Sequence, residues 1–125
     1  MIDHTGIRCA DLDKSVEYFK KALAPIGYEL IKRLDEYKTA GFGEKGKADF
    51  WVNAVGKPAE PGHIAFRVGG REQVRKFYAA AIAAGGTDNG GPGERPHYHE
   101  NYYAAFVLDP DGNNIEVVCH EAFLG

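Results

Sequence analysis

Cysteine is scarce in this chain. Only Cys9 and Cys119 occur, too few for the disulfide frameworks that staple small secreted domains. Each falls on the apolar face of an expected strand, so both read as buried free thiols. A catalytic cysteine is disfavoured, because neither sits in a polar setting. Positive charge is not in excess either. The net charge of −3 removes the electrostatic footprint of a nucleic-acid-binding protein. Long apolar runs are missing, and no stretch approaches the roughly 20 residues that cross a bilayer. The N-terminus enters a strand almost at once, with no charged and apolar leader, and the expectation is a cytoplasmic protein. The remaining class is a globular protein of 125 residues, long enough for one domain with a real core.

What the chain has is a repeat. His63-Ile-Ala-Phe-Arg-Val-Gly69 alternates polar and apolar residues with period two, the pattern of a half-buried strand. His4-Thr-Gly-Ile-Arg-Cys-Ala10 has the same plan at an offset of 59, with His4 on His63, Ile7 on Phe66, Arg8 on Arg67 and Cys9 on Val68. The offset persists through a helix, where Phe19 meets Tyr78, Ala22 meets Ala81, Leu23 meets Ile82 and Gly27 meets Gly86. Two copies of one unit tend to pack about a pseudo-two-fold, which brings matched positions together. Here the matched polar positions are two histidines.

The elements follow from local signals. Asp11 is a good N-cap for a helix with Leu12, Val16, Phe19 and Leu23 at helical spacing, ended by Pro25 and Gly27. Residues 28–35, 37–43 and 48–55 read as strands. Residues 56–62 form a proline- and glycine-rich linker. The second helix is expected from about Arg71 to Ala84, stopped by Gly85-Gly86. Residues 87–101 are expected to be mostly loop, and strands follow at 102–108 and 114–120 around the turn Asp109-Pro-Asp-Gly112. Each unit therefore reads βαβββ, module one over about 1–55 and module two over about 63–120.

The last strand carries the chemistry. Ile115, Val117 and Cys119 face one way, and Glu116, Val118 and His120 the other. A carboxylate inside an apolar strand is costly unless it is paired or bound to a metal. Aligning Phe50 with Ile115 and Val52 with Val117 puts Trp51 at the repeat position of Glu116. The four symmetric inward positions are then His4, Trp51, His63 and Glu116. Two imidazoles and a carboxylate form the facial triad that suits Fe(II), and they also suit Zn, Mn, Ni or Co. Three protein ligands leave open positions, which is the catalytic arrangement.

These residues carry a family likeness. His4-Thr-Gly-Ile-Arg-Cys-Ala-Asp-Leu12 with Ser15 and Tyr18-Phe19, then Gly62-His-Ile-Ala-Phe66, then Phe106-Val-Leu-Asp-Pro-Asp-Gly-Asn-Asn-Ile-Glu116, resemble the vicinal-oxygen-chelate superfamily. That superfamily includes glyoxalase I, bleomycin-resistance proteins and extradiol dioxygenases. The resemblance covers nearly the whole chain and implies an α+β fold. It further implies two tandem βαβββ modules that form a curved mixed β-sheet cleft with helices on the outer face. It implies a divalent metal on His4, His63 and Glu116 and a homodimer, with the site either within one chain or shared by two. In glyoxalase I the fourth ligand lies where this chain has Trp51, a departure that argues against a four-ligand lactoylglutathione lyase. Arg8 matches an arginine that holds a glutathione carboxylate in glyoxalase I, so an anionic small-molecule substrate is one reading of it. A salt bridge at the sheet edge is the other. Trp51 and Arg67 are the further substrate-binding candidates.

The stretch Arg95-Pro-His-Tyr-His-Glu-Asn-Tyr-Tyr103 packs histidines and tyrosines beside the strand leading to Glu116. It reads either as a lid whose His99 or Tyr103 serves as general acid or base, or as a dimer contact. Glu116 itself is a third candidate base. His120 reads as a support for Glu116 or as a surface residue. Two functions follow from the resemblance. One is a metal-dependent isomerase, lyase or dioxygenase acting on a small substrate with vicinal oxygens. The other is a non-catalytic protein that sequesters a small molecule, as bleomycin-resistance proteins do.

Overall fold

A computed structural model describes residues 1–122. Its strands form two separate ladders. The first has the order β1-β4-β3-β2, built from β1 (Thr5–Arg8), β2 (Glu29–Leu34), β3 (Thr39–Glu44) and β4 (Lys47–Asn53). The second contains β5 (His63–Val68), β6 (Thr87–Asp88), β7 (Gly93–Glu94), β8 (Tyr103–Leu108) and β9 (Asn114–Cys119), with β5 at one edge beside β9. In each ladder the first strand runs parallel to the last, and the other pairings are antiparallel. The parallel pair needs a crossover, which helices α1 (Leu12–Ala22) and α2 (Arg71–Ala83) supply. The expected pair of α+β modules is thus present as two mixed ladders. Among the described residues no helix is long and apolar enough to cross a membrane.

The helices form where capping and periodicity place them. The Asp11 carboxylate accepts from the Lys14 N–H at 3.2 Å and caps α1. At the end of α2, Gly85 takes a φ of +104° and the Gly86 N–H donates to Ala81. Gly86 itself is required for room: a Cβ there would lie 2.5 Å from Val107 and 2.9 Å from the Ala81 carbonyl.

The segment read as loop after α2 is a broken strand. Gly90 and Pro92 interrupt it, one with a φ of +142° and the other without an N–H. It still bonds β8 across the break. The Asn89 N–H donates to Phe106 O at 3.0 Å, and the Phe106 N–H donates to Gly90 O at 2.8 Å. Segments β6 and β7 together stand where module one has β2.

Each helix covers one face of its ladder, and the two helices also pack on each other. Apolar residues from both modules form one core cluster. Phe66 of module two meets Phe50 and Tyr28 of module one edge to face at 5.3 Å. A polar knot ties the modules at the turn between β8 and β9. Buried Asn113 donates from its amide to Arg8 O and Asp109 Oδ2, and accepts from the Gly62 N–H. Asp111 accepts from the Ala10 N–H at 2.9 Å. Both cysteines are buried and free, as expected, and burial pushes the Cys9 thiol up.

Candidate functional site

The face of each ladder away from its helix is set by strand parity. In module two the parallel register places Ala65 beside Glu116 and His63 beside Asn114, and the antiparallel register sets Phe106 opposite Glu116. His63, Glu116 and Phe106 therefore share the open face. His63 Nε2 lies 3.1 Å from Glu116 Oε1, and the imidazole stacks near Phe106 at 6.4 Å. Glu116 is only 2% exposed although it faces away from the core. The reason is Tyr102, whose hydroxyl donates to Glu116 Oε2. Burial, and then that carboxylate, push the phenol well above its ordinary range, so it remains a donor.

Sequence reasoning missed Tyr102 and chose its neighbour. Tyr103 pairs with Cys119 and faces α2, with the Arg71 guanidinium 4.7 Å above its ring. Parity separates the two once the register is known: residues 104 and 106 share the face of Glu116, and position 102 extends that series. His99 does reach this region. Its ring lies 5.0 Å from Tyr102 and 4.9 Å from His120, while its Nδ1 lies 2.7 Å from Glu100 O. His120 also packs on Tyr102, at 5.2 Å, so it stands behind the phenol that touches Glu116.

In module one the pairing of Gly6 with Trp51 puts His4 and Trp51 beside one cleft of about 480 Å³. The indole lies across Gly41, where a Cβ would come within 2.9 Å of the ring. His4 is exposed, and its Nδ1 is 2.7 Å from Asp3. Among the described residues Arg8 has no salt bridge; its Nη2 donates to Val55 O at 2.7 Å from an exposed position. Arg67 pairs with Glu121 at 3.3 Å on the surface. The structure thus brings His63 and Glu116 together and holds His4 with Trp51 on the other ladder. Among the described residues of one chain, no three His, Cys, Asp or Glu side chains converge as a metal site.

Comparison with known proteins gives this arrangement its context. The profile of the glyoxalase/bleomycin resistance protein/dioxygenase superfamily matches residues 1–117. The chain belongs to this superfamily. A "probable lactoylglutathione lyase" from Vibrio cholerae is 30% identical, over 92% of this chain and 87% of its own length. A glyoxalase/bleomycin resistance protein from Albidiferax ferrireducens superposes with a TM-score of 0.76 at 27% identity, covering 93% and 95% of the two chains. A glyoxalase I variant from Zea mays shares the fold, with a TM-score of 0.70 and 24% identity, over 94% of this chain and 46% of the larger one.

An imidazole nitrogen and a buried carboxylate oxygen, 3.1 Å apart on one face, are donors that borderline divalent ions accept. An otherwise apolar strand gives Glu116 reason to hold a partner. This pair fits a metal ion. His4 is the third donor of the right type, and it belongs to the opposite module.

Proposed function

We propose that the protein is a metal-dependent enzyme acting on a small substrate with vicinal oxygens, by isomerase, lyase or dioxygenase chemistry. Its site is completed across a homodimer, with His4 from one copy and His63 and Glu116 from the other. The observation that carries this reading is the division of the donors. The His63–Glu116 pair and His4 each sit on an open sheet face, yet the described residues of one chain do not gather all three. A two-fold pairing of open faces would bring His4 to the pair twice, once per site.

A divalent ion held there would supply Lewis-acid polarisation of neighbouring substrate oxygens. The chain's own residues do the rest. Trp51 occupies the fourth symmetric position, and its indole offers no lone pair in the ring plane. Three protein donors then leave room for substrate. The flat indole across Gly41 offers an apolar wall for the substrate's carbon frame. Arg8, held at one nitrogen by Val55 O, keeps its other donors for an anionic group. Arg67 is a second cation near the rim. His99 and Glu116 are the candidates for moving a proton, His99 from an exposed position and Glu116 from the floor of the face.

The test is elemental analysis of the purified protein beside His63→Ala. About one equivalent of a transition metal per chain, lost in the variant, supports the reading. No metal in the wild type after reconstitution with several divalent ions overturns it, and the cleft beside Trp51 then stands as a small-molecule binding site.

A further inference from the structure

The two oxygens of Glu116 have different neighbours. Oε1 lies 3.1 Å from His63 Nε2, and Oε2 accepts the Tyr102 hydroxyl. A carboxylate terminus rotates in a broad, nearly two-fold well, so nothing intrinsic to the side chain decides which oxygen points where. Tyr102 decides it. Its ring is gripped from several sides, by Tyr98 at 4.8 Å, His99 at 5.0 Å and His120 at 5.2 Å. These contacts come from the loop before β8 and from the residue after β9, so the phenol is fixed independently of the carboxylate it meets.

We propose that Tyr102 is a positioning residue that occupies Glu116 Oε2 and commits Oε1 to the His63 side, so that Glu116 offers a single oxygen to a divalent ion. The inference rests on the metal reading above and adds to it a determinant of affinity and coordination number. Partners of this kind, which touch a ligand rather than the ion, typically govern metal affinity by about 10- to 100-fold.

The experiment compares wild type, Tyr102→Phe and Tyr78→Phe as full chains. Co²⁺ is titrated against a chromophoric chelator, and the visible spectrum of the loaded protein is recorded. Tyr102→Phe keeps the ring and its packing and removes only the hydroxyl. It is expected to weaken Co²⁺ binding by about 10- to 100-fold. It should also lower the visible absorption intensity, because the freed oxygen can raise the coordination number. A residue that merely supports the fold would move neither in step with the hydroxyl. Tyr78→Phe also loses a hydroxyl, one that bonds Asp88 on the helix side of the ladder, and should bind as wild type does. Equal affinity and an unchanged spectrum in Tyr102→Phe, with Co²⁺ bound by wild type, overturn the positioning role alone. A wild type that binds no Co²⁺ overturns the metal reading and this role with it.

Discussion

Glu116 is a charge placed where burial alone would forbid it. It survives because Tyr102 and His63 each take one of its oxygens. Removing the charge while keeping the shape separates its two effects. Glu116→Gln leaves an amide oxygen for Tyr102 and no buried negative charge, and the half-exposed His63 keeps its access to water, so no uncompensated buried charge remains. The metal-free variant should therefore unfold in denaturant no earlier than wild type, while its metal content falls to near zero. Asp109 makes a pH prediction. It is 4% exposed, and burial pushes its carboxyl up despite bonds from Asp111 and Asn113. A raised native pKa favours the fold at low pH, and that contribution is lost as pH rises through the native value. Denaturant unfolding across pH should thus show wild type losing stability relative to Asp109→Asn, from about pH 4 up to that raised value. A difference that stays flat or grows with pH contradicts the burial argument. At this scale His63 and Glu116 were legible, because a lone carboxylate in an apolar strand and a repeated histidine are visible in one dimension. Tyr102 was not singled out, since choosing it over Tyr103 requires the register of β8 against β9.

The elements were legible wherever period and punctuation agreed. Asp11, the apolar stripe of α1 and the Gly85-Gly86 stop of α2 all lie where the sequence reading puts them. The repeat matched Gly27 to Gly86, yet the left-handed residue after α2 is Gly85. Gly86 is small for a different reason, the approach of Val107, Tyr18 and the Ala81 carbonyl. Gly86→Ala should therefore cost stability by overpacking, about 1–3 kcal/mol in chemical denaturation. A neutral substitution would mean that the end of α2 yields more easily than these contacts imply. The strand after α2 was hidden because Gly90 and Pro92 carry turn chemistry inside a segment that still bonds β8. Local composition reads as loop there, and only the partner strand reveals the ladder.

At the scale of the molecule, the repeat foretold two modules but not how they meet, and within one chain the matched histidines stay on separate ladders. The modules join through the core, with Phe66 against Phe50 and Tyr28, and through the knot of Asp109, Asp111 and Asn113. Sequence periodicity describes one module at a time and carries no information on which module of which copy faces it. If the site is shared between copies, two deficient variants can rebuild it together. His4→Ala and His63→Ala are each purified metal-free, then mixed, dissociated, reassociated and assayed for bound metal. In a mixed dimer one site loses both histidines, and the other recovers His4 from one chain and His63 with Glu116 from its partner. Random reassociation should then restore about one quarter of an equivalent of metal per chain. If the variants hold no metal apart and still none after mixing, while wild type treated the same way recovers its full content, the site is not shared.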